Sequence, residues 1–142
     1  MIAKTFLDTN ILIYAHDDDE TIKRSIATAQ LLALMKAGTL VISPQVLQEF
    51  YVNVTRKLAK PLPKRVARQI VEDLGPWCTV TGLAEVTAAF RIEDEAKISF
   101  WDALICASAL RSGAQTILSE DLNAGQKIAG IRIENPFLAA GT

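Results

Sequence analysis

The chain has 142 residues, of which 50% are hydrophobic and 22% charged, with a formal net charge of −1. A chain of this size buries about 68–70% of the surface that its unfolded form exposes, so it can build a full core, and its composition excludes disordered and low-complexity classes. The near-neutral charge gives no global nucleic-acid signature, no stretch reaches the roughly 18 apolar residues of a membrane span, and no signal-peptide pattern opens the sequence, so the expectation is one soluble, cytoplasmic domain over residues 1–142.

In chain order, Ile2 to Leu7 reads as a short buried strand. Thr21 to Lys36 has helical character, with Ile22, Ile26, Ala29 and Ala33 on one face, and Gly38 stops it before a second strand, Thr39 to Ile42. Ser43-Pro44 opens a helix, because serine caps well and proline is tolerated at the first helical position; it should run to about Ala59, before Pro61 and Pro63. Lys64 to Leu74 is a further helix closed by Gly75-Pro76, and Cys78 to Thr81 is expected as a third strand. Helices follow from Thr81 or Gly82 to about Ala96 and from Ser99 to Arg111, the latter stopped by Gly113. Gln115 to Leu118 and Gly130 to Glu134 read as the last strands, with a short helical or loop segment, Asn123 to Ala129, between them. Strands alternating with helical crossovers predict an α/β fold: a central parallel sheet of about five strands flanked by helices on both faces.

The chemistry must run on carboxylates. His16 is the sole histidine, which removes histidine triads and histidine-rich zinc sites, and Cys78 and Cys106 lack metal-binding spacing and suit core filling in a reducing compartment. Four acids stand where apolar segments end or should continue: Asp8, Glu49, Asp102 and Asp121, none with a basic residue within three positions. Asp8 follows the first strand and Asp121 the fourth, at the carboxyl ends where open α/β sheets bind ligands. Each also has a plainer reading, Asp8 as a helix cap and Asp121 as a loop residue. Asp102 lies amid the apolar stripe of its helix, within about 60° of Ile98, Ile105, Cys106 and Ala109, where an unpaired ion costs several kcal/mol. Its alternatives are a buried ion pair or a metal. Glu49 sits at the edge of its helix, about 120° from the apolar face, in the first turns after the second strand. Asn10 and Ser119 are nearby polar groups able to orient a carboxylate or hold a water. Oxygen donors without histidine or thiolate select hard cations, Mg²⁺ or Mn²⁺.

Taken together, Phe6-Leu7-Asp8-Thr9-Asn10-Ile11-Leu12, Glu49, Ser99-Phe100-Trp101-Asp102-Ala103-Leu104-Ile105, Leu118-Ser119-Glu120-Asp121 and Ile133-Glu134-Asn135-Pro136-Phe137 resemble a PIN-domain ribonuclease, most closely the VapC-type toxins. The resemblance spans nearly the whole chain. It implies Mg²⁺- or Mn²⁺-dependent endonucleolytic cleavage of RNA, inhibition by a small antitoxin protein, and a homodimer. It also makes Asp8, Glu49, Asp102 and Asp121 the metal ligands and catalytic residues, with Asn10 and Ser119 in support. One position departs from the pattern: many members carry a further acid two residues after the fourth carboxylate, and here Asn123 stands there. Glu120 is either its substitute or a solvent-facing neighbour of Asp121.

Arg56, Lys57, Lys60, Lys64, Arg65 and Arg68 form a basic segment with no acid between Glu49 and Glu72, either a phosphate-contacting rim or a solvated surface. Asp17, Asp18, Asp19 and Glu20 read as a solvated loop and helix start, and Phe100 and Trp101 as core or dimer contacts, or as a platform for a stacked base. Two enzymatic and binding rivals remain. A metal-dependent phosphatase with Asp8 as nucleophile would want an acid where Asn10 stands, and a catalytically silent partner-binding domain would have no need of four intact acids.

Overall fold

A short apolar strand that must be covered on both faces starts the chain: β1, Lys4–Leu7, buries Phe6 and Leu7 completely. The computed structural model describes residues 3–138, so the expected first residue of this strand, Ile2, lies outside the described residues. A six-residue helix, α1 (Thr9–Tyr14), follows at once, with the Asp8 side chain accepting from the Thr9 N–H at its start. Then come α2 (Thr21–Ala37), β2 (Leu40–Val41) and α3 (Pro44–Arg56). The chain continues through α4 (Lys64–Leu74), a 3₁₀ turn at Gly75–Trp77, α5 (Leu83–Ala96) and α6 (Phe100–Ser112), and closes with β3 (Ala114–Leu118), β4 (Lys127–Ile128) and β5 (Ile131–Glu134).

The expected punctuation operates. Gly38 and Gly113 end α2 and α6 in the left-handed region, at φ 71° and 83°, where a side chain would be strained. Ser43 caps α3 ahead of Pro44, and Ser99 caps α6 by accepting from the Asp102 N–H at 3.1 Å. The sheet order is β2-β1-β3-β5-β4, flanked by helices. β1 pairs in parallel with β2 and β3, and β3 with β5, while β4 runs antiparallel to β5. Parallel neighbours require crossovers, which α1 to α6 supply. Phe6, Ile42, Val46, Phe50, Ile105, Ile117 and Ile133 make a continuous core between the layers.

The register is what builds a site. Leu7 lies opposite Leu118, and Leu118 opposite Glu134, so β1 and β3 stop level with each other. The residues immediately after them, Asp8 and Ser119, therefore meet at one carboxyl edge although 111 positions separate them.

Several expectations need correction. The predicted third strand, Cys78 to Thr81, reduces to a single bridge between Cys78 and Ile42; Val80 is already 89% exposed, so the segment leaves the sheet after one residue. The segment Asn123 to Ala129 contains β4, which turns into β5 through Ala129 and Gly130, both with positive φ (52° and 81°). That is the geometry of a two-residue hairpin turn, disguised by an alanine where asparagine is usual. The helix from Ser43 ends at Arg56 rather than near Ala59, because Leu62 N–H returns to the Val54 carbonyl at 2.8 Å. Helix α1 was not foreseen.

The inward face of α2 also differs. Ala27 and Leu31 are buried, whereas Ile22 is 70% exposed and Ala29 and Ala33 face solvent. Two faces of this helix are nearly equally apolar, so periodicity cannot choose between them. Of the predicted face only Ile26 packs against the core, and the Lys23–Glu120 and Thr28–Ala15 carbonyl contacts accompany the orientation that buries Ala27 and Leu31. Leu31→Ala should therefore cost about 2–5 kcal/mol in urea melts and Ile22→Ala less than about 0.5 kcal/mol. The reverse order would restore the face read from sequence.

Candidate functional site

At the carboxyl edge Asp8 is buried, with 5% of its surface exposed, and both of its oxygens are used. One accepts from the Thr9 N–H at 2.7 Å and the other from the Ser119 hydroxyl at 2.7 Å. Burial above all raises the Asp8 carboxyl, these two hydrogen bonds lower it and the negative charges of Asp121 and Asp102 raise it, and the balance lies at about 6. Those two charges act on Asp8 because α6 and the loop after β3 bring them to it.

Each neighbour is held by its own local structure. Ser119, completely buried, is a hub: while donating to Asp8 it accepts from the N–H groups of Asp121, at 3.1 Å, and Leu122, at 3.2 Å. Asn10, near the start of α1, donates from Nδ2 to Asp121 Oδ2 at 2.9 Å and accepts from the Glu120 N–H at 3.1 Å. Asp102 stands in the first turn of α6, half-buried, with Cys106 one turn further on. Burial above all, with the negative charges of Asp8 and Asp102, raises the Cys106 thiol to about 12, so it stays neutral.

Glu49 joins by a different route. The Thr9 hydroxyl donates to Glu49 Oε1 at 2.8 Å, which ties α3 to the start of α1 beside Asp8. Asn53, one turn along α3, donates to the Glu49 carbonyl at 2.7 Å rather than to its carboxylate.

The structure thus gathers Asp8, Asp102 and Asp121, with Glu49 attached through Thr9, and sets Ser119 on Asp8 and Asn10 on Asp121. Among the described residues none of the four acids forms an ion pair, which leaves Asp102 without the buried partner that was its alternative. Among the described residues no three histidine, cysteine, aspartate or glutamate side chains stand close enough to grip one ion together. The donor set nevertheless fits a hard cation. It is all oxygen and lacks any counter-charge, and Mg²⁺ characteristically takes only one or two carboxylates and keeps several waters.

Glu120 is neither solvent-facing nor part of the carboxylate group. It accepts from the Tyr14 hydroxyl at 2.6 Å and pairs with the Lys23 ammonium at 2.6 Å, while Lys23 lies 4.7 Å from the centre of the Tyr14 ring. Asn123 is exposed. Thr9, Tyr14 and Lys23 were missed by sequence reasoning: the first two are carried by α1, whose six residues are too few for a periodic signal.

Arg56, Lys57, Lys60, Lys64, Arg65 and Arg68 are all exposed along the end of α3, the following loop and α4. Arg68 donates to the Tyr51 hydroxyl at 3.2 Å beside an apolar groove lined by Leu47, Tyr51 and Val71, and Lys60 lies 3.8 Å from Asp19. Asp18 pairs with Arg24, in keeping with a solvated acidic run. Phe100 packs against Phe90 and Trp101, and Trp101 is 63% exposed. Among the described residues no helix is long and apolar enough to cross a membrane.

Comparison with known proteins bears on the fold and on the family. Among solved structures, the chain is similar to VapBC2 from Rickettsia felis bound to a promoter DNA fragment, at 21% identity over 92% of this chain and 97% of that one, with a TM-score of 0.62. It is similar to FitAcB from Neisseria gonorrhoeae at 17% identity, 94% and 99% coverage and a TM-score of 0.65. It is also similar to Mycobacterium tuberculosis VapC20, a sarcin-ricin loop cleaving toxin, at 21% identity, 83% and 90% coverage and a TM-score of 0.60. No curated protein matches. Residues 5–129 match the PIN domain, and the chain, with its five-stranded sheet and acid-lined carboxyl edge, belongs to the PIN-domain family.

Proposed function

We propose that this protein is a Mg²⁺- or Mn²⁺-dependent endoribonuclease and the toxin of a toxin-antitoxin pair, acting in the cytoplasm as a homodimer. The observation that carries the reading is the convergence, without any paired cation, of half-buried Asp102 and exposed Asp121 on buried Asp8. Three carboxylates without a counter-charge repel one another, and a divalent cation resolves that conflict. The fold likeness to toxin-antitoxin complexes and to an RNA-cleaving toxin supports the same class and a small protein antitoxin as partner.

In this reading Asp8, Asp102, Asp121 and Glu49 surround the ion, with one or two of them bound to it directly and the others through its waters. When bound, a divalent ion supplies charge neutralisation for an in-line phosphoryl displacement and a more acidic attacking water. The protein's own groups set the geometry. Ser119 and the Thr9 N–H fix both oxygens of Asp8, and Asn10 aims Asp121. Asn10 has no titratable proton, so the position two residues after Asp8 cannot supply the acid that a phosphatase with Asp8 as nucleophile would need; here it orients Asp121 instead. Arg56, Lys57, Lys60, Lys64, Arg65 and Arg68 are assigned to the RNA backbone, which makes binding salt-sensitive.

Cleavage of a panel of structured RNAs should require Mg²⁺ or Mn²⁺, stop on chelation, and be abolished in Asp102→Asn while circular dichroism shows the fold retained. Cleavage that survives chelation or this substitution contradicts the reading.

The elevated Asp8 carboxyl sets a pH dependence. The folded protein holds this proton more tightly than the unfolded chain, so the stability it contributes is complete below about pH 4 and is lost as pH rises through about 6. For a rise of this size the loss at pH 7 is about 2–3 kcal/mol in metal-free protein. Asp8→Asn should remove this dependence and raise metal-free stability at pH 7 by part of that amount, because asparagine offers one acceptor to the two donors Thr9 and Ser119 present. Urea melts of both proteins at pH 4.5 and pH 7 check it; a stability difference independent of pH contradicts it.

A further inference from the structure

The residue between Ser119 and Asp121 is spoken for by groups outside the carboxylate cluster. Glu120 accepts the Tyr14 hydroxyl and the Lys23 ammonium, each at 2.6 Å. Lys23 in turn lies 4.7 Å from the Tyr14 ring centre and 5.5 Å from that of Phe137, and the two rings meet edge to face at 5.2 Å. Helix α1 therefore grips the loop after β3 twice, through Asn10 on Asp121 and the Glu120 N–H, and through Tyr14, one turn on, at the Glu120 carboxylate. Lys23 extends that grip to α2.

The backbone makes this consequential. Asp121 is exposed and, among the described residues, its side chain has one hydrogen bond, from Asn10, so its direction depends on where residues 119–121 are held. With Ser119 pinned by Asp8 and the next residue, Glu120, by Lys23 and Tyr14, little freedom is left for the backbone that leads into Asp121. We propose that Lys23 is a positioning residue: by locking Glu120 against Tyr14 it holds the 119–121 loop so that Asp121 faces Asp8 and serves as a ligand. This rests on the metal-site reading above and assigns the Lys23–Glu120–Tyr14 group a role in metal affinity.

The sign of the effect separates positioning from simple electrostatics. Removing the Lys23 cation makes the neighbourhood more negative and by Coulomb attraction alone would tighten binding of a divalent cation. Loss of an orienting contact behind a ligand instead weakens it, by about 10–100-fold. The test is calorimetric titration of the full chain with MnCl₂ for wild type, Lys23→Met, Lys23→Arg and Glu120→Gln, with metal-free melting curves of each. Lys23→Met and Glu120→Gln should each bind Mn²⁺ at least tenfold more weakly, Lys23→Arg should recover most of the affinity, and metal-free melting temperatures should fall by only a few degrees, as for other partly exposed ion pairs. Unchanged or tighter binding in Lys23→Met, with wild type binding normally, overturns the positioning role alone. Global loss of metal-free structure in both Lys23→Met and Glu120→Gln makes the pair merely structural and also overturns it. Wild type that binds no Mn²⁺ overturns the metal-site reading and this proposal with it.

Discussion

The carboxylate of Asp8 is taken out of water at the point where two parallel strands end, and much of the site is arranged around that fact. Isolated burial of this charge would cost several kcal/mol, and the surroundings meet the cost only in part. Two short hydrogen bonds, from Thr9 and Ser119, favour the ionised form, while Asp102 and Asp121 oppose it. In the proposed reading, the unmet part of that cost is what a divalent cation would relieve. A fold selected for stability alone would have put an apolar residue here, as it did at Leu7 and Leu118 alongside.

The layout of the helices follows from serving that position. Helix α1 is too short to be stable by itself, and its start is capped by Asp8, whose ionised form also suits the positive end of a helix. From this one turn and a half, Thr9 reaches Glu49 on α3, Asn10 reaches Asp121, and Tyr14 reaches Glu120. Residues at the end of β1, on α3 and in the loop after β3 are thus linked through a single small element packed between α2 and α3. Distances between groups far apart in sequence are set by strand register at one end and by α1 at the other.

Much of this architecture was legible from the chain. Capping and glycine signals located the start of α3 at Ser43-Pro44, the end of α4 at Gly75 and the end of α6 at Gly113, because they act locally on the backbone, whereas the end of α3 was moved by a longer-range contact. The four acids stood out because each broke an apolar context, a signal that depends on burial rather than on conformation. What stayed hidden depended on contacts between distant residues. The inward face of α2 was settled by packing of Ala27, Leu31 and Ile26 against the core, the single bridge at Cys78 by where the 3₁₀ turn delivers the chain, and the β4–β5 turn by an alanine adopting positive φ. Glu120 is the clearest case: beside Asp121 in sequence, it points the other way because its partners come from α1 and α2.

The central claim is that the four acids form one cation site organised on Asp8. Anomalous diffraction at the manganese edge from crystals grown with MnCl₂ locates the ion without reference to substrate, turnover or stability. The account predicts a peak bound by a carboxyl oxygen of Asp8 together with Asp102, Asp121 or both, and Glu49 in direct or water-mediated contact. A well-ordered pocket with no peak there at millimolar Mn²⁺, or a peak confined to other acids such as Asp17 to Glu20, would contradict it.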